Sequence, residues 1–152
     1  MSLKKILQEG RQEMLNEAVE SVRRARLEHY EKAGPDLIRQ RLGLLLDLVI
    51  NAVLERNLAP IIAHVNTIAT ERFEAGADLS EVQTAFNVLE EAIWLRILKK
   101  LPAAKQAEAL GLVGTVLGSA KDSLARKYVS MATRTHTPSL NLKALFLGSD
   151  SF

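Results

Sequence analysis

The chain has 152 residues, a formal net charge of +2 and no cysteine. That length fits one domain able to bury most of its unfolded surface, and the charge is too small to predict nucleic-acid or acidic-membrane binding. Without cysteine, disulfides, thiol catalysis and Cys-ligated zinc or iron–sulfur sites are excluded. Hydrophobic residues make up 47% but aromatics only 5%, so the core is built from Leu, Ala, Val and Ile. The fold class expected is all-α.

The first helix is predicted over residues 3–32, ending at the breaker pair Gly34-Pro35. Its apolar stripe is narrow, carried by Leu15, Val19, Val22 and Tyr30. Arg23, Arg24 and Arg26 lie among glutamates and read as a solvated, salt-bridged face. No signal segment is expected, because Gln8, Glu9, Gly10 and Arg11 follow Lys4 and Lys5 at once.

The second helix, residues 36–56, opens behind Pro35, which the first turn tolerates. Arg39, Gly43, Asp47, Asn51 and Glu55 recur every four residues as one thin polar stripe. The remaining surface is apolar, which predicts burial at the centre of a bundle or against another subunit. Asp47 and Asn51 then need partners, for which Arg39 or Arg96 are candidates. The interruptions by Arg39, Arg41, Asp47 and Asn51 argue against a membrane span. A soluble, cytoplasmic protein is expected.

A third helix over 60–75 carries Ile61, Ile62, Val65, Ile68, Ala69 and Phe73. Gly76 supplies the left-handed closure common after a helix. Ser80 and Gln83 read as a capping box opening a fourth helix, 80–101. Val82, Phe86, Leu89, Ile93, Ile97 and Leu101 share one face of it, and Trp94 beside them reads as core or interface. Pro102 starts a short turn.

The fifth helix, 104–133, has Leu110, Val113, Leu117, Ala120, Leu124 and Met131 on a near-heptad seam. Gly111, Gly114 and Gly118 lie along it, and each helical glycine costs ~1 kcal/mol relative to alanine. Close approach of another helix is the expected reason. The run from Gly114 to Lys121 has the wrong spacing for a phosphate loop. Past residue 133 the pattern stops. Residues 1–133 are therefore read as the domain and 134–152 as a tail, disordered or docked through Leu142, Leu145, Phe146 and Leu147.

No catalytic constellation is visible. His29, His64 and His136 lie in three separate segments with no second ligand at helical spacing, so no metal site is expected. No nucleophile elbow, dinucleotide fingerprint or phosphate loop occurs.

The stretch Ile68 to Trp94, with GADLSEVQTAF at its centre, resembles the globin-like sensor domains of bacterial signalling proteins. These include haem-binding globin-coupled sensors and the non-haem, RsbR-type N-terminal domains of stressosome co-antagonists. The match runs loosely over residues 1–133 and implies a globin-like bundle of about five main helices. Haem relatives carry their iron-ligating histidine four residues before the glycine. Here that position is Arg72, and a guanidinium has no lone pair for iron. The resemblance thus implies a sensory or regulatory module that is not an enzyme and uses no cofactor. It would form a homodimer through its last two long helices, with Leu89, Ile93, Leu110, Gly114, Leu117, Gly118 and Leu124 as interface candidates. Its output would pass to a separate signalling protein, such as a kinase or an anti-sigma-antagonist system, and its signal could be a small apolar ligand. Two other readings stay open: a haem-based gas sensor or haem enzyme using His64, and a structural helical adaptor without ligand.

Overall fold

The computed structural model describes residues 2–136, and every regular element among them is an α-helix. The chain runs α1 (Leu3–Glu9), α2 (Arg11–Ala25), α3 (Glu28–Ala33), α4 (Pro35–Glu55), α5 (Ala59–Glu74), α6 (Leu79–Lys100) and α7 (Ala103–His136). The tail cluster of Leu142, Leu145, Phe146 and Leu147 lies outside the described residues. No helix among the described residues is long and apolar enough to cross a membrane.

Seven helices replace the five expected because the first predicted helix is three. At Gly10 the side chain of Arg96 crosses the backbone, donating from Nε to the Ile6 carbonyl at 3.3 Å and pairing with Glu13. A Cβ at Gly10 would collide with that guanidinium. The second break is Arg26, left-handed at φ 50°, whose N–H donates to the Arg23 carbonyl at 3.3 Å. Arg23 and Arg24 pair with Glu20 on the solvated face, as read from the sequence.

Helix α4 is central, touching each of the other helices. Leu42, Leu45, Leu46, Val49, Ile50 and Val53 are buried on it. The middle of its polar stripe, Gly43 and Asp47, meets α2, while Asn51 and Glu55 face solvent. Arg11 grips Asp47 through Nε–Oδ1 at 2.5 Å and Nη2–Oδ2 at 3.0 Å, and passes over Gly43, where a Cβ would stand 3.1 Å from Nη2. Asp47 therefore pairs with Arg11, not with Arg39 or Arg96. Arg39 donates instead to Asn16 at 2.8 Å.

The α5–α6 turn is closed as the glycine predicts. Gly76 has φ 82°, its N–H meets the Phe73 carbonyl at 3.1 Å, and the Ala77 N–H reaches back to Arg72 at 2.9 Å. These two bonds satisfy carbonyls that the helix end leaves orphaned. Tyr128 of α7 pins the turn by donating to the Ala77 carbonyl at 3.0 Å, its ring edge-on to Phe73 at 5.5 Å. With Ala77 thus fixed, α6 starts early. Asp78 is its N-cap without a side-chain bond, and Ser80 lies inside the first turn, so the Ser80–Gln83 capping box does not form.

Helix α6 is sandwiched between α2 and α7, and α7 also packs along α5. Lys121 reaches Asn87 at 3.1 Å and Glu90 at 3.4 Å, while Gln106 donates to the Leu98 and Leu101 carbonyls. Those two crosslinks fix an antiparallel register that sets Gly111–Gly118 alongside the middle of α6, near Trp94.

Candidate functional site

Two features outside the core bear on function: a cavity under α4 and a face on α6 and α7 that no described residue covers. The cavity, about 330 Å³, lies where α3, α4, α5 and α6 meet. Its walls are mostly apolar, with Leu45, Ile68, Val82 and Phe86 contributing, and it opens beside Leu37 and Leu44, which are 37% and 49% exposed. That volume is at the small end of ligand pockets, which span ~300–1,000 Å³.

Into this greasy space point unusual polar groups. Arg72 is 7% exposed and lines the cavity from α5, with its ion pair to Glu71 a loose 3.8 Å. Arg41 enters from α4, and its Nη1 is buried without a hydrogen-bond partner. Burial first, then the nearby Arg72 charge, hold the Arg41 guanidinium below its ordinary pKa. His64 lines the same cavity, and burial pushes its pKa down, so the imidazole is neutral at pH 7. The Tyr30 hydroxyl, also on the wall, is pushed up by burial, and Tyr128 behind it rises to about 12 for the same reason. Glu81, nearby, keeps Oε2 buried and unpartnered while Oε1 accepts weakly from the His29 N–H at 3.5 Å.

The residue in the expected haem-ligand position, Arg72, and the alternative histidine, His64, thus meet in one cavity. Among the described residues no three His, Asp or Glu side chains are grouped to hold a metal. The sequence marks Arg41 only as an interruption of the apolar segment, though a signal for a site existed. It sits two residues beyond Arg39, off the polar stripe, and so is a cation on the apolar side of a nearly all-apolar helix.

The helix-pairing candidates separate into two sets. Leu89, Ile93, Leu117 and Leu124 are at most 1% exposed within the single chain and pack its own core; Leu110 is half-buried against it. Gly114 and Gly118 face outward with Gly111, and a Cβ at any of the three would meet nothing within 4 Å. The close approach that would explain these glycines is therefore not made by any of the described residues. Beside them on α6, Trp94 is 45% and Leu98 40% exposed, so Trp94 is not a core residue.

No curated protein and no solved structure matches the chain. Residues 12–137 match the family model described as RsbT co-antagonist protein rsbRD N-terminal domain. That span takes in α2 to α7 and with them both the cavity and the outward face. The match agrees with the resemblance carried by the α5–α6 segment, and the chain belongs to this family of stressosome-related regulatory signalling domains.

Proposed function

We propose that the chain is a non-haem, globin-like sensory module of the cytoplasm. It pairs with a second copy through the outward faces of α6 and α7 and reports occupancy of the α4–α6 cavity by a small, largely apolar ligand. The observation that carries this reading is that Trp94 and Leu98 are exposed on α6 while Gly111, Gly114 and Gly118 leave a bare stripe on α7. Bulky apolar side chains beside a glycine-floored trough form a self-complementary surface. A two-fold axis would seat the Trp94 of each copy against the glycines of the other, which is the isologous arrangement common in homodimers. Such a contact would also explain three helical glycines that no neighbour among the described residues requires.

Helix α6 links the two features physically. Val82, Ala85 and Phe86 line the cavity at one end, and Trp94 and Leu98 face outward towards the other. A ligand that shifts the N-terminal half of α6 would tilt the paired surface, and shifts of 1–2 Å at helix interfaces are a known way to change subunit packing. The receiver is proposed to be a separate signalling protein of the kinase or anti-sigma-antagonist kind, in line with the family's description as co-antagonists of RsbT.

Sedimentation equilibrium of the full chain tests the pairing. A dimer at micromolar concentration is expected, converted to monomer by Trp94→Glu with the helical circular dichroism unchanged. A monomeric parent protein would refute the reading.

A further inference from the structure

The polar groups of the cavity narrow its ligand beyond "small and apolar". A purely hydrocarbon occupant would bury Arg41 and Arg72 more deeply while giving neither guanidinium a partner. Burying an unpaired charge is far costlier than burying an unpaired dipole. Arg41 Nη1 is already enclosed without a hydrogen bond. Arg72, 7% exposed, has one ion pair at 3.8 Å, to a Glu71 side chain that is itself 60% exposed. Two guanidinium groups and one carboxylate therefore line the space, leaving it one positive charge in excess. Glu81 does not line it, and Oε1 of that carboxylate is turned to the His29 N–H. Neutral His64 adds no charge but offers a donor or an acceptor.

We infer that the cavity binds an amphiphilic carboxylate, its head between Arg41 and Arg72 and its alkyl chain along Leu45, Ile68 and Phe86 towards the exposed Leu37 and Leu44. The planar donor fork of arginine suits a carboxylate with two bonds per partner, and charge-assisted bonds are the strong ones. Taking ~30 Å³ for a water-sized group, 330 Å³ holds about ten non-hydrogen atoms, the size of a medium-chain fatty acid such as octanoate.

This inference rests on the cavity being the sensory pocket, so its test separates the two. Calorimetric titration of the full chain compares octanoate with octanol, and a series from hexanoate to dodecanoate sets the best length. Octanoate is expected to bind at least tenfold more tightly than octanol. Arg41→Gln should abolish that preference with the helical circular dichroism unchanged. Equal binding of octanoate and octanol, or a preference that survives Arg41→Gln, overturns the carboxylate assignment but leaves an apolar pocket. No binding of any chain length or of octanol up to 1 mM overturns both.

Discussion

Replacing Gly118 with leucine pulls folding and pairing in opposite directions. Among the described residues a Cβ at Gly118 meets nothing within 4 Å, so leucine relieves the glycine cost without a clash. Unfolding should become harder by up to ~1 kcal/mol. In the proposed dimer the same side chain enters a trough occupied by the other copy. Overpacking a close contact costs typically ~1–3 kcal/mol, and a two-fold interface contains the substitution twice, giving ~2–6 kcal/mol. The dissociation constant should therefore rise at least about 30-fold, since ~1.4 kcal/mol is a factor of ten. Sedimentation equilibrium reads the association, and urea melts at a concentration below it read the chain. Gly118→Ala is the graded control, gaining most of the helix propensity with little bulk. If leucine raises chain stability but leaves association unchanged, the glycine face is not the contact and the pairing argument is wrong.

Three further outcomes follow from the packing. Tyr128→Phe keeps the ring against Phe73 but strands the Ala77 carbonyl, so the melt should show a loss of ~1–3 kcal/mol; no change would mean that the bond does not hold the α5–α6 turn. Gly10→Ala should destabilise by ~1–3 kcal/mol because Arg96 must leave the Ile6 carbonyl and Glu13. In an Arg96→Ala background the same substitution should be nearly silent, and additive losses would refute the collision. Burial lowers the folded pKa of His64 below its ordinary 6.5. Between those two values the unfolded chain binds a proton that the folded chain does not, so stability is full above pH 6.5 and falls as the pH drops towards the folded pKa. The slope cannot exceed ~1.36 kcal/mol per pH unit for one proton. Denaturant melts from pH 7.5 to 5.5 should show this loss in the parent and not in His64→Gln; parallel curves would contradict it.

Helices whose ends are set by local chemistry were legible from residue order alone. Pro35 opens α4, the left-handed Gly76 closes the turn after α5, and Pro102 precedes α7, so these spans are legible within a few residues. The all-α class followed from composition, rich in aliphatic and poor in aromatic residues. The division of the first helix was not legible, because Gly10 is demanded by Arg96, 86 positions away, and the register of the neighbouring chain decides that contact. The capping box at Ser80 failed for a related reason. Tyr128 and the closure of α5 fix Ala77, and the helix begins from there rather than from its best local cap. The candidate site was half visible. Arg72 stood out as a cation where haem relatives carry a ligand, but its convergence with Arg41 needs the crossing of α4 over α5. Helical spacing likewise places Gly114 and Gly118 on one side of α7. Only the packed bundle decides that this side faces solvent, because the core-facing stripe of Val113, Leu117 and Leu124 buries more apolar surface against α5 and α6 than glycines can.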